Sequence, residues 1–428
     1  MFSSSFRRVA IIGGSRIPFC RSNTAYSELS NLDMLATSIN GLVDRFDLAG
    51  VEIGEVGAGA VISHSKDWNL AREAVLSTRL SPLTTAYTLQ MACGTSLQAA
   101  LQLGAKIATG QIDSAIAAGS DTTSDAPIVF GRKFAQRLIR LSNAKTMSER
   151  LAAFKGFRPG ELTPQAPGAG EPRTKMAMGQ HCELMAKEWG ISRADQDQLA
   201  YQSHKKAATA YAEGFFDDLL VPCAGISKDN HLRADTSLEK LATLKPAFDR
   251  KSGNGTLTAG NSTPLTDGAS SVLLASEEWA KARGLPVLAY LTYGKTASVD
   301  FVAGEGLLMA PTVAVARMLA DTGLSLQDFD FYEIHEAFAA QVLCTLRAWE
   351  SEKYCKQRLG LTQALGSIDP AKLNVKGSSL AFGHPFAATG GRIVATLAKL
   401  LDQRGSGRGL ISVCTAGGMG VVAMLEKP

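Results

Sequence analysis

The chain predicts an α/β protein made of two similar halves with a charged segment inserted between them. Three observations carry this. Short apolar runs that end at glycine alternate with helical patterns towards both ends of the chain. Between residues 122 and 257 the texture changes, becoming richer in charge and in loop-forming Pro and Gly. From about 256 the small-residue, glycine-rich pattern returns, and strands again alternate with helices. A chain of 428 residues that is 45% hydrophobic and 20% charged is neither disordered nor fibrous. No apolar stretch reaches the length of a membrane-spanning helix.

Taken in order, Val9-Ala10-Ile11-Ile12 reads as a strand closed by Gly13-Gly14, followed by a helix over 32–48 and a second strand-like run at 56–62. Residues 97–108 are apolar nearly all round, so they form a buried helix, and 113–119 form a buried strand. Inside the insertion, helices are expected at 128–142, 176–189 and 193–213, with a loop running from Arg158-Pro159-Gly160 to Gly168-Ala169-Gly170-Glu171-Pro172. Beyond it, 331–334 and 409–414 read as strands and 389–401 as a helix. Residues 116–119 and 411–418 both run from strand into glycine, a weak sign of duplication. The expected division is 1–121 completed by 258–276, then the insertion 122–257, then 277–428.

The net charge of +4 is too mild to imply nucleic acid, but it is concentrated: 122–158 holds 8 basic and 2 acidic residues. A polyanionic ligand or surface would meet the protein there. The 7 cysteines are odd in number, widely spaced and without Cys-x-x-Cys, so neither a disulfide framework nor structural zinc is expected. His64, His181, His204 and His231 lack metal-ligand spacing. MFSSSFRR runs straight into the first strand, leaving no apolar stretch for a signal peptide, and a reduced, cytoplasmic setting is expected.

Four residues stand where chemistry could be done. Cys93, in Gln90-Met91-Ala92-Cys93-Gly94-Thr95-Ser96, precedes the buried helix, whose dipole would favour a thiolate and whose first amides could bind an oxyanion; a cysteine there can equally be an ordinary buried residue. His384 is pinned between Gly383 and Pro385, as a general base or a structural turn residue. His335 ends a strand in Glu333-Ile334-His335-Glu336-Ala337-Phe338, where polar side chains face ligand crevices. Glu336 would orient or charge it, or else His335 caps the following helix. Cys414 lies in Cys414-Thr415-Ala416-Gly417-Gly418-Met419-Gly420, a turn of small residues that would leave the thiol open and offer amides to an anion, or else it is a core cysteine. Together they form a nucleophile, base and acid inventory.

With Arg16-Ile17-Pro18-Phe19, Thr258-Ala259-Gly260-Asn261-Ser262-Thr263, Asp267-Gly268-Ala269 and the order His335-Glu336-Ala337-Phe338, Gly383-His384-Pro385, Cys414, the sequence resembles the thiolase family over nearly its whole length. His335 itself, Phe386-Ala387-Ala388-Thr389-Gly390, Leu244-Lys245-Pro246-Ala247-Phe248-Asp249 and the extended 122–158 segment are similar to the thiolase subunits of trifunctional fatty-acid oxidation complexes, of the bacterial anaerobic type. The resemblance implies a five-layer αβαβα fold and CoA-dependent cleavage of 3-oxoacyl-CoA to acetyl-CoA and a shortened acyl-CoA. It implies that Cys93 is acylated, that His384 deprotonates it, and that Cys414 moves the α-proton. His384 and His335 would form one oxyanion site, and the backbone N–H groups of Cys93 and Ala416 the other. The family usually has Gly where Ala416 stands, a change that keeps the amide but tightens the pocket.

The same resemblance implies coenzyme A as a substrate bound mostly by the insertion, with Ala259 and Thr263 on the pantetheine side, and neither a permanent cofactor nor a metal. It further implies a homodimer or homotetramer, a hydratase/dehydrogenase partner subunit, and peripheral membrane contact through 128–158, a basic amphipathic stretch that could also be a solvated helix face. Three rivals stand beside it: an acetyl-CoA acetyltransferase working in the condensing direction, a decarboxylating ketoacyl synthase (which has no use for Cys414), and a catalytically silent assembly subunit.

Overall fold

The computed structural model describes residues 6–168 and 170–428. Residues 1–5, on which the reading of the N-terminus partly rests, and Ala169 of the expected loop lie outside the described residues. The strands in chain order are β1 Val9–Arg16, β2 Cys20–Arg21, β3 Glu55–Gly59, β4 Ala86–Thr88, β5 Ser114–Asp121, β6 Val129–Phe130, β7 Pro164–Gln165, β8 Thr266–Ser276, β9 Ala289–Ser298, β10 Phe331–Ile334, β11 Gly407–Thr415 and β12 Met419–Lys427.

Two runs of strands repeat one pairing pattern. In the first, β4, β3 and β5 lie parallel, followed by β8 and β1 antiparallel. In the second, β10 and β11 lie parallel, followed by β12 and β9 antiparallel. A single parallel bridge between Tyr332 and Leu373 stands where the first run has β4. The runs meet at β1 and β9 through only Ala10↔Tyr290 and Ile11↔Ala289. The duplication therefore lies in the order and direction of strands, which a sequence comparison of the halves barely registers.

Side chains on neighbouring strand positions point to opposite faces, so a strand covered on both sides must be apolar without alternation. Ile411 faces the inner core while Leu410 faces the outer one. Between the runs, helices Thr95–Ala108 and Thr389–Arg404 pack Leu97, Ala100 and Leu103 against Ile393, Val394 and Leu397. Asn31–Arg45 and Leu70–Leu76 cover the outside of the first run, and Ala310–Thr322 and Ala339–Glu350 the outside of the second. The result is five layers: helix, sheet, helix, sheet, helix.

Several expected boundaries are corrected. β1 does not stop at Gly13-Gly14 but continues to Arg16, with an irregularity between Ile11 and Gly13. Those glycines serve close packing, since a Cβ on Gly13 would lie 2.5 Å from the Phe46 ring and one on Gly14 2.3 Å from Ala395 Cβ. The helix expected over 32–48 ends at Arg45, because Asp47 takes a left-handed φ of 50°. β3 stops at Gly59 because the amides of Val61 and Ile62 donate to the buried Asp121 carboxylate instead of to a strand. The helix expected at 128–142 splits into β6, paired with β7, and the helix Arg132–Asn143. The other two insertion helices span Met178–Glu188 and Arg193–Ala212.

A buried ion pair anchors the insertion to β1. Arg16 donates from both terminal nitrogens to Asp229, at 2.6 and 2.7 Å, and Asp229 also accepts from the Phe19 amide and the Tyr211 hydroxyl. Removing one partner leaves a buried charge without compensation. Asp229→Ala is expected to lower stability by about 3–5 kcal/mol. Denaturant unfolding measures this, and a loss below about 1 kcal/mol would show that the pair does not hold the insertion in place.

Candidate active site

Cys93 sits on a strained bend. Ala92 has φ 44°, a left-handed conformation uncommon for a residue with a Cβ. Thr95 fixes the bend by accepting from Met91 N at 2.9 Å and donating to the Ala92 carbonyl at 2.7 Å. Gly94 is the N-cap of helix Thr95–Ala108, so Cys93 stands one residue ahead of the cap.

The His384 loop reaches Cys93 from the other half. Gly383 has φ 97°, and a Cβ there would lie 2.4 Å from Thr266 Cγ2. That close approach lets the His384 amide donate to Thr266 Oγ1 at 2.7 Å. Asp121 accepts from Ala387 N, and Ser96 donates to the Ala387 carbonyl while accepting from Gly391 N. These bonds lock the two inner helices together at their N-terminal ends. His384 then places Nε2 3.1 Å from Cys93 Sγ, with Nδ1 2.5 Å from Thr389 Oγ1.

His335 joins the same point, and Cys414 lies within electrostatic reach of Cys93. The His335 ring lies 4.2 Å from the His384 ring, centroid to centroid. One donor atom each from Cys93, His335 and His384 lies within 4.8 Å of the others, a spacing that a soft metal ion could also use and that linear spacing does not reveal. Cys414 is buried on β11, close enough that charge on Cys93 would push its own thiol pKa higher. The expectation of an open Cys414 thiol is thus corrected: Leu308, Met309 and Phe338 pack in its cluster. The backbone N–H groups of Ala416, in the β11–β12 turn, and of Cys93 itself are near enough to the Cys93 sulfur to favour its thiolate.

Glu336 does not orient His335. Its carboxylate accepts from Ser203 Oγ, Asn374 Nδ2 and Leu380 N. His335 Nδ1 instead meets Ser379 Oγ at 2.9 Å, and the following helix begins only at Ala339. Two supporting residues escaped the sequence reading. Glu171 of the insertion accepts from Gly417 N at 2.9 Å and so holds the turn that presents Ala416. Ser379 is the other, and nothing in its local sequence marks it. A cavity lined by Leu199, Ser203, Lys206, Glu336, Leu346 and Leu373 backs onto Glu336, and its lining holds none of the reacting atoms.

Burial governs the charge states. It pushes the Cys93 thiol up to about 12, outweighing the Ala416 and Cys93 amides that favour a thiolate. It pulls His384 down to about 3, with the Arg392 charge adding to the effect. His335 is held well below the ordinary histidine range and Cys414 well above the ordinary thiol range, both mainly by burial. In the free enzyme burial thus favours a neutral thiol beside a neutral imidazole, against the pull of the helix dipole towards a thiolate. The alkylation rate of Cys93 by iodoacetamide should rise about tenfold per pH unit from neutrality to about pH 11. A plateau reached below about pH 7 would instead indicate a preformed ion pair.

Ala259 stands exposed in the turn after Thr258, and Thr263 donates from its amide and hydroxyl to the Ala337 carbonyl, two residues from His335. Neither belongs to the cluster of reacting atoms. Around helix Arg132–Asn143, Ile128 (70%), Ile139 (60%) and Leu151 (72%) are strongly exposed among Arg132, Lys133 and Arg140. Arg137 is occupied internally, donating to Glu161 and to the Ala153 carbonyl. No helix among the described residues is long and apolar enough to cross a membrane.

Comparison with known proteins agrees with this geometry. Residues 9–278 match the family model for the thiolase N-terminal domain, and 285–427 match that for the thiolase C-terminal domain. The chain is 41% identical over 425 residues to a 3-ketoacyl-CoA thiolase of Shewanella amazonensis, covering 98% of this chain and 97% of that one. The 3-ketoacyl-CoA thiolase of Shewanella woodyi matches equally, at 41% over 425 residues. Among solved structures, the acetyl-CoA acetyltransferase of Bacillus anthracis superposes with a TM-score of 0.83 at 30% identity, covering 100% of both chains.

Proposed function

The chain belongs to the thiolase family, and from that premise we propose that it is a 3-ketoacyl-CoA thiolase, cleaving 3-oxoacyl-CoA with coenzyme A in fatty-acid β-oxidation. The observation that carries this reading is the 3.1 Å contact of Cys93 Sγ with His384 Nε2, with the Ala416 and Cys93 amides on the same sulfur and His335 beside it.

The chemistry follows from the residues. His384 Nε2 takes the Cys93 proton as sulfur attacks the 3-oxo carbon, and the Cys93 and Ala416 N–H groups bind the resulting oxyanion. The C2–C3 bond breaks, acetyl-CoA leaves as an enolate, and Cys414 protonates its α-carbon. His335 and the now-protonated His384 face the enolate oxygen. A CoA thiol then gives its proton to Cys414 and attacks the acyl-Cys93 thioester. The departing Cys93 sulfur recovers its proton from His384, which closes a ping-pong cycle. Neutral resting forms of Cys93 and His384 suit this path, since protons move only when the substrate is in place.

On the same reading, residues 1–121 with 258–276 form one half, 277–428 the other, and 122–257 the insertion over the cleft. Coenzyme A enters as a substrate between the insertion and the Ala259–Thr263 turn, with no permanent cofactor. The enzyme acts in the cytoplasm as a homodimer or homotetramer. The exposed apolar side chains of 128–158, ringed by basic residues, would meet a membrane surface or a hydratase/dehydrogenase subunit. Flotation with anionic liposomes should carry the protein up, and removal of 128–158 should abolish this; no lipid association by the intact protein would exclude the membrane arm.

The condensing reading draws on one observation, the structural likeness to an acetyl-CoA acetyltransferase. Thiolysis rates over a panel of 3-oxoacyl-CoA lengths separate the two. Activity that extends to medium or long chains supports the degradative role, whereas activity confined to acetoacetyl-CoA would favour condensation.

A further inference from the structure

His335 is neutral and wholly buried, so its single ring proton sits on one nitrogen or the other, and which one decides what the ring can do in the site. Nδ1 meets Ser379 Oγ at 2.9 Å, and Nε2 has no hydrogen-bond partner. Ser379 Oγ has a second neighbour, Arg392 Nη2, at 2.9 Å. A guanidinium only donates, so it must occupy a lone pair of the Ser379 oxygen. One lone pair and the hydroxyl proton remain, and among the described hydrogen bonds that proton has no acceptor other than His335 Nδ1. A hydroxyl that donates to Nδ1 requires Nδ1 to be unprotonated, which puts the ring proton on Nε2.

We propose that Arg392 and Ser379 are positioning residues that fix His335 in the Nε2–H tautomer, making it a permanent hydrogen-bond donor to the enolate oxygen. The inference deepens the thiolase reading and rests on it.

The contrast with His384 supports the assignment. Its Nδ1 also meets a hydroxyl, Thr389 Oγ1, but no cation contacts that oxygen among the described hydrogen bonds. Thr389 is free to accept from Nδ1–H, which leaves the His384 Nε2 lone pair to take the Cys93 proton. Two neighbouring rings thus hold opposite tautomers, one a base and one a donor, and the difference is set by a single arginine. Arg392 is itself buried, with Nε and Nη1 unpartnered, and burial lowers its pKa only to about 10, so it remains charged at neutral pH. Glu333, two residues before His335 on β10, adds little to that state at neutral pH, because burial pushes its own carboxyl up to about 8.

The test joins spectroscopy to kinetics. In protein labelled with 15N-histidine, long-range proton–nitrogen correlation should show the His335 Nε2 protonated and Nδ1 bare, with a His335→Asn sample giving the assignment. Ser379→Asp offers only an acceptor to Nδ1 and should switch the ring to Nδ1–H. Because an oxyanion donor acts in the transition state, kcat should fall by about 10²-fold or more with KM for CoA nearly unchanged. Ser379→Ala removes the bridge and should lower kcat by roughly tenfold or more, again at constant KM. An Nδ1–H ring in the wild type, or Ser379→Asp and Ser379→Ala both folded with wild-type kcat, would overturn the proposal. The tautomer is read without turnover, so it stands apart from the thiolase reading, whose own failure would appear as absent thiolysis in the wild type.

Discussion

Cys93→Ser is expected to lower kcat for thiolysis by about 10³-fold or more while leaving the fold intact. Serine is nearly isosteric and keeps the backbone N–H that faces the pocket, so the bend at Ala92 and the bonds made by Thr95 should survive. What is lost is the sulfur nucleophile. His384 is an adequate base for a thiol whose pKa is pushed up to about 12, but a hydroxyl is a weaker acid still. A serine protein with undiminished thiolysis would mean that the acyl group travels by another route.

His384→Ala should cost about 10²- to 10⁴-fold in kcat, the usual worth of a positioned general base. The loss should exceed that at His335, because His384 serves twice, first accepting the Cys93 proton at 3.1 Å and then facing the enolate oxygen as a cation. Measured as single-turnover acylation, the defect should appear already in the first half-reaction. Normal acylation with slow release of product would instead place His384 in the second half only.

Three of the four reacting residues were legible in the sequence because glycine or proline beside them marks a turn or a close backbone approach. Cys93 is followed by glycine, His384 stands between glycine and proline, and Cys414 runs into a glycine turn. The alternation of apolar runs and helices gave the α/β class for the same local reason. What sequence could not show depends on contacts across the halves. Ser379 and Glu171 act through partners 44 and 246 positions away, and their own neighbourhoods are unremarkable. Glu336 was the natural orienting group by adjacency, but both residues lie beyond the end of β10, and its carboxylate is taken by Ser203 and Asn374. One signal was available: Arg392 stands in the apolar first half of helix Thr389–Arg404 and Glu333 in the apolar strand β10, and both prove buried.

Burial also weighs against the thiolate expected at Cys93. The pull of a helix N-terminus is worth about 0.3–1 kcal/mol at exposed positions, too little to offset the desolvation that pushes the half-buried Cys93 thiol up to about 12.

The most direct measurement is mass spectrometry of protein quenched during turnover of a 3-oxoacyl-CoA. A thioester-bound acyl group, two carbons shorter than the substrate chain, should be found on the peptide carrying Cys93 and vanish when coenzyme A is added. The same acyl group on Cys414, or steady turnover with no acylated cysteine at all, would contradict the reading of Cys93 as the nucleophile.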